Sequence, residues 1–486
     1  MNRAESLRDK LSFTRASVQT DSLTVVLDLT TASEAIEAAC LSVFGITGES
    51  GQDLPSTPLD AFIGHCRATF EALAVRDESE ALHFVTLISA FIHECRHVHD
   101  LRGTRIGAEL LLADIQTYAR LPSLIQDLQH WLQENPEAVL FLPLRSGDFD
   151  LLNLGPTAKD HYAHSLETRA RMQRLWSSKS RFRILPGTSI KDLYEVLGFE
   201  AQIDFVSGTY GNDIAKIVAD ACLGGDAARA KYLRPMEVLV IQSNAHGVRF
   251  DPGAGDMSRL VTSALNMCGL DEAFDADVPG DRHPGAWFDR LAEIYVRLAH
   301  AEKCPSHERA EWAAPIVAEW ELGTDLTALY QRASQALDEA QKSLLADLIG
   351  RTDLELISPA VLIATEIAID FRQGQRIMFE QPEYHSPMGY LSLLVGGELT
   401  RVYVRANTRS MGVIDFRMPS EIPTNHVGGA RSASAASQQI RLMMTGRRFD
   451  GGFLQEQAYR ELLDPAIAGL RFRQRRAARK TEASAA

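Results

Sequence analysis

"AFIHECRHVHDLRGT", residues 90–104, gathers three histidines, a glutamate and an aspartate directly behind an apolar run. The residues upstream decide what it is. From Glu78 onward, Leu82, Val85, Ile88, Ala90, Phe91, Ile92 and Cys95 are dense enough to bury a helix, which then carries the quoted segment in its last two turns and stops at Gly103. On that helix His93 and His97, four residues apart, stand one turn from each other on the same face. Composition alone would produce one H-E-x-x-H in roughly 3% of chains of this size, so accident is a poor account of it. The bland alternative is a helix whose cationic end complements the macrodipole.

Working outward, DSLTVVLDL (21–29) reads as a strand, and TASEAIEAACLSVFG as a short helix capped by Thr31 or Ser33. GITGESGQDLPSTPLD marks a loop before a helix that begins near Pro58. Helical patterns follow over Gly107 to His130, broken near Pro122, and over Thr157 to Ser177. In 188–206, TSIKDLYEVLGFEAQIDFV, a Thr or Ser cap precedes apolar residues at helical spacing: Leu193, Val196, Leu197, Phe199, Ile203 and Phe205. MEVLVIQ (236–242) and VRF (248–250), separated by SNAHG, read as a β-hairpin. Helical spacing returns over 287–303, 308–322, 326–350 and 359–379, then strands are expected within 391–407 and an exposed loop over 418–437.

Length and charge narrow the class. The 486 residues, 45% of them hydrophobic, suffice for two or three domains, and the formal charge of -14 speaks against a chain-wide nucleic-acid footprint. Only the tail RFRQRRAARK is a basic stretch that touches acidic partners or nucleic acid, with a solvated terminus as the plainer reading. The six cysteines are scattered and none forms a CxxC pair, which suggests reduced thiols. With no apolar stretch of signal-peptide or membrane-span length, a cytoplasmic location is expected. GxGxxG is absent, so no nucleotide cofactor is expected.

His93-Glu94-Cys95-Arg96-His97 has the chemistry of a zinc helix. Two imidazoles converge on one ion, and a third protein ligand leaves a coordination position open, while Glu94 beside the first ligand can take a proton from water. The motif resembles that of the zincin superfamily of zinc metallopeptidases, a resemblance confined to this helix and one other. In the gluzincin branch the third ligand is a glutamate on a later helix, often as E-x-x-x-D, and Glu200-Ala-Gln-Ile-Asp204 has that form. The resemblance therefore implies a Zn2+ ion held by His93, His97 and Glu200, Glu94 as the base, and Asp204 steadying an imidazole.

Three features depart from the family pattern, one of them His99, which stands two positions after the second motif histidine where an apolar residue is usual. Arg96 is a cation inside the motif, and must point away from an ion or pair with an acid. Glu200 follows His97 by 103 positions, the difference of their numbers, which keeps Glu109 on the next helix open as the third ligand, with Asp100 or His99 as contributors if the helix unwinds.

Other candidates have weaker context. His161 and His164 lack a carboxylate companion and read as a solvated helix face. Tyr210, Tyr384 and His385 sit in loop-like sequence as donors to a developing oxyanion, although aromatic residues beside Pro and Gly more often pack a turn. Cys95 is most simply a small buried residue.

The expected protein is α+β and mainly helical: a zincin-like catalytic region over 1–225 with a long insertion between the metal helices, a helical second half over 226–470, and a basic tail over 471–486. A boundary falls within 215–235. The expected activity is zinc-dependent hydrolysis of a narrow protein or peptide target. The competing class is a non-enzymatic interaction protein whose metal only staples the fold.

Overall fold

The structure, a computed structural model, describes residues 15–19, 24–29, 32–44, 59–119, 131, 134, 149–150, 152–153, 156–182, 185–249, 255–274, 282–301, 308–348, 401–405 and 410–415. The chain divides into two compact units. One comprises Met1–Glu109, Trp176–Leu337 and Ala368–Pro423, and the other Leu110–Leu175, Asp338–Ile367 and Thr424–Ala486. The helices on either side of residues 215–235 belong to the same unit.

In chain order the described elements are β1 (Arg15–Gln19), β2 (Thr24–Asp28), α1 (Glu34–Val43), α2 (Leu59–Ala74), α3 (Glu78–Gly103), α4 (Arg105–Ala119), α5 (Pro156–Ser177), β3 (Lys179–Phe182) and β4 (Leu185–Ser189). There follow α6 (Ile190–Tyr210), α7 (Asn212–Cys222), α8 (Asp226–Tyr232), α9 (Arg234–Ala245), α10 (Asp256–Asn266), α11 (Leu270–Phe274), α12 (Pro284–His300), α13 (Arg309–Leu322), α14 (Leu326–Leu348), β5 (Arg401–Arg405) and β6 (Ser410–Asp415). Among the described residues the protein is mainly helical with little sheet. Strands pair in the order β1-β2-β5-β6, with β2 parallel to β5 and the other pairs antiparallel, and β3 and β4 form a separate hairpin. Val25 and Leu27 of β2, and Leu29 just after it, alternate into the core, the period of two expected of that strand.

The pair α3 and α6 is the centre of the first unit. Asp77 caps α3 by accepting from the Ser79 and Glu80 amides, and Ser189 with Asp192 forms a reciprocal capping box on α6. Phe84, Val85, Ile88 and Ile92 of α3 share a core cluster with Ala201, Phe205 and Val206 of α6. Each such large apolar side chain contributes about 1.5–3 kcal/mol on burial. Helix α6 also packs against α2, α7, α8, α9 and α10, so it is buried around most of its circumference. Among the described residues no helix is long and apolar enough to cross a membrane.

The first arm of the expected hairpin, 236–242, is instead part of helix α9, and 248–249 are not strand; residue 250 lies outside the described residues. Pro235 sits in its first turn, where a missing N–H costs nothing, and Val238, Leu239, Gln242 and Ser243 are buried as one helical stripe. Val240 and Ile241 are left exposed. Alternation would have buried Val240 along with Val238, so the β-branched run misled and tertiary burial decided. Of the expected strands in 391–407 the structure contains β5; residues 391–397, 359–379, 418–437 and the tail over 471–486 lie outside the described residues, as do Tyr384 and His385.

The β3–β4 hairpin is tied to α12 by a buried carboxylate. Ser180 Oγ donates to Asp289 Oδ2 at 2.7 Å, Thr188 Oγ1 donates to Asp289 Oδ1 at 3.3 Å, and the Thr188 amide donates to Ser180 Oγ at 2.8 Å. Burial pushes the Asp289 carboxyl up to about 6, against the two hydroxyl bonds and the charges of Arg234 and Arg290. A carboxyl raised in the folded state stabilises below its unfolded value, near 4, and that contribution is lost as pH rises through 6. Asp289→Asn removes the titration, so its stability relative to the parent should improve by on the order of 2 kcal/mol between pH 4 and 7. Urea unfolding at the two pH values measures this, and a pH-independent difference would exclude the assignment.

Candidate metal centre

The H-E-x-x-H motif occupies the C-terminal half of α3, where the two imidazole centroids are 4.5 Å apart at 85°. The end of α3 is held by a short chain of hydroxyls. Thr104 Oγ1 donates to the Asp100 carbonyl at 2.6 Å, which leaves Tyr194 OH as the donor in its 2.9 Å contact with Thr104 Oγ1. Tyr194 in turn stacks on Trp176 at 5.2 Å and turns an edge to His97.

The acid brought to the histidines is Glu195. His93 Nε2 lies 3.3 Å and His97 Nε2 3.9 Å from the same oxygen, Glu195 Oε2. Nitrogen and oxygen ligands of one tetrahedral ion, each bonded at about 2.0–2.1 Å, sit about 3.3–3.4 Å apart, so the donor set fits an ion of that kind. His93, Glu94 and His97 also place one ligand atom each within 4.8 Å of one another, and this group could hold a metal ion. Among the described residues it is the group of that composition.

Close approach of the helices depends on Gly198. A Cβ there would meet Cε1, Nε2 and Nδ1 of His93 at 2.7, 2.8 and 2.9 Å, inside any tolerable contact. Glycine in a helix interior costs about 0.5–1 kcal/mol relative to alanine, and here it makes room for an imidazole.

The electrostatics favour ligation. Burial, then the neighbouring His93, pulls His97 down to about 3 despite Glu195, so its imidazole is neutral and its lone pair available. Burial alone would raise Glu195, but the His93 hydrogen bond, both imidazoles and Lys231 hold it down to about 2, as a carboxylate. Lys231 Nζ is 3.0 Å from that carboxylate's Oε2 and 3.2 Å from Tyr232 OH. Tyr232 stacks on Phe199 and turns an edge to His93, forming an aromatic wall.

Glu200 lies elsewhere. Five residues beyond Glu195, it is about 140° further round the helix, where its neighbours are Arg96, Asp204 and Asp256 and burial pushes it up to about 7. Glu200 and Asp204 do share a face, as the four-residue spacing requires. Asp204 Oδ2 is buried without a hydrogen-bond partner, and so are Nδ1 of His93 and of His97; the support expected from Asp204 is not made there. Glu109 pairs with Arg105 at 3.1 Å and accepts from the Leu270 amide. Arg96 turns to an acid, as its place in the motif demands: Nε donates to Asp100 Oδ2 at 2.7 Å and Nη2 to Ser258 Oγ at 3.1 Å. Tyr210 packs with Phe70 and Phe205 beside Cys66 in the core. His161 and His164 are on α5, in the other unit, and Cys95 is buried.

Sequence reasoning passed over Glu195, Gly198 and Lys231. The signal was present in YEVLGF (194–199): an acid flanked by apolar residues in a buried helix needs a partner, and a glycine in the same turn marks a close approach. No family model, curated protein or solved structure matches the chain.

Proposed function

We propose that the chain is a zinc-dependent hydrolase of the zincin kind, cutting a peptide or amide bond in a narrow set of protein or peptide targets. One observation carries the reading: two imidazoles one turn apart meet the carboxylate of Glu195 from a facing helix, with Glu94 alongside. Two nitrogens and a carboxylate oxygen are a donor set suited to zinc. A bound zinc ion supplies Lewis acidity, which polarises a carbonyl and acidifies water. His93, His97 and Glu195 would hold the ion. Glu94 accepts the proton that water loses as its oxygen bonds to the carbonyl carbon, and passes it to the departing nitrogen. Because the three ligating side chains are rooted in two packed helices, little rearrangement is needed to present them.

A second reading has its own support. Glu94 belongs to the same ligand group as the histidines, so it could serve as a ligand and not as a base; with Glu195, which faces both histidines, the site would then be closed and structural. Glu94→Gln separates the two. For the hydrolase, zinc content by plasma mass spectrometry stays within twofold of the parent while cleavage of a proteome-derived peptide library falls at least a hundredfold. For the staple, zinc content and melting temperature fall together.

A further inference from the structure

The hydrolase reading leaves open which group meets the negative charge as a carbonyl becomes tetrahedral. Tyr210 is committed to the core. Lys231 is placed for the task by three observations. Its ammonium is 3.0 Å from the oxygen of Glu195 that also faces both imidazoles. It has three N–H donors and makes two contacts among the described residues, to Glu195 and to Tyr232. Its side chain is 38% exposed where that of Glu195 is 11% exposed, so the remaining donor has an open side.

The charge balance points the same way. Imidazoles ligate a metal in their neutral form, so a loaded centre would hold two carboxylates, Glu94 and Glu195, and one ammonium. A divalent ion converts this into an excess of one positive charge, which Lys231 creates and an anionic oxygen cancels. A cation beside a metal ligand weakens metal binding by repulsion unless a ligand's negative charge offsets it.

We propose that Lys231 is the anion-receiving group of this centre, donating its free N–H to the oxygen of a carbonyl substrate as that oxygen gains charge. As water's oxygen bonds to the carbonyl carbon, the carbonyl π pair moves onto its own oxygen and water's proton goes to Glu94. The charge on that oxygen then meets the ammonium of Lys231, which lies over the ring of Tyr232 and donates to its hydroxyl. This rests on the hydrolase reading.

The test uses the full chain loaded with cobalt, whose visible absorption reports the centre without need of a substrate. Dimethylphosphinate, a small tetrahedral monoanion, is titrated at constant ionic strength beside dimethyl sulfone, its uncharged counterpart of the same shape. The parent should bind the phosphinate and ignore the sulfone. Lys231→Met and Lys231→Gln should each weaken phosphinate binding at least tenfold while binding cobalt at the same stoichiometry, and Lys231→Arg should stay within threefold of the parent. Circular dichroism establishes that each variant is folded, and the Gln and Arg pair carries the comparison if Met does not fold. Unchanged phosphinate affinity in the Met or Gln variant, or equal binding of the sulfone, overturns the role of Lys231 while leaving the metal site standing. A parent that takes up no cobalt overturns both.

Discussion

Glu195→Gln is expected to weaken zinc binding by on the order of a hundredfold or more, whereas Glu200→Gln should leave it within about threefold. Groups that merely orient ligands are worth about 10- to 100-fold in metal affinity, so loss of a ligand should exceed the lower end comfortably. Glutamine keeps the shape of the side chain and removes the charge that Lys231 and the two imidazoles face. Glu200 in contrast sits among Arg96, Asp204 and Asp256, where a neutral amide relieves a buried carboxyl. Competition against a zinc-binding dye measures both variants. If Glu200→Gln were the one that lost the ion, α6 would have to be turned about its axis by roughly a third of a revolution.

The largest expected change in stability is at Arg96. Its guanidinium and the Asp100 carboxylate are both buried, joined at 2.7 Å, and Ser258 takes a second N–H of the guanidinium. Breaking a buried pair by removing one member typically costs about 3–5 kcal/mol, because the other charge is left in a medium that solvates it poorly. Arg96→Met should therefore destabilise by about that amount at pH 8. Burial already pushes Asp100 up to about 6, against the pull of Arg96, and removing the cation raises it further. A raised carboxyl stabilises at low pH and loses that contribution as pH climbs through its folded value, so the variant should lose less at pH 5 than at pH 8. Adding Asp100→Asn should recover part of the deficit at pH 8. Urea unfolding of the three proteins decides it; a loss under about 1 kcal/mol for Arg96→Met would show that the pair contributes little.

Much of the helical framework was legible in the sequence. The cap at Ser189, the apolar spacing from Leu82 to Cys95 and the alternation at Val25 to Leu29 each state their element locally. The segment 236–242 did not, because a run of β-branched and apolar residues satisfies strand and helix templates alike, and only burial of Val238, Leu239 and Gln242 on one side distinguishes them. At the candidate metal centre, His93 and His97 were legible because four-residue spacing on a helix brings them together, with Glu94 next to the first. The facing acid was not. Helix α6 is buried almost all round, so it has no polar stripe from which to read its rotation, and the E-x-x-x-D spacing drew attention to Glu200 instead. Lys231 comes from a seven-residue helix too short to show a pattern, and reaches the centre by tertiary placement alone.

Gly198 has a consequence for how kindred chains could be found. Since an imidazole fills the space where any other residue would begin its side chain, the acid that meets the histidines and the missing side chain beside them are tied three positions apart. The searchable signature of this architecture is then H-E-x-x-H followed, about a hundred residues on, by E-x-x-G.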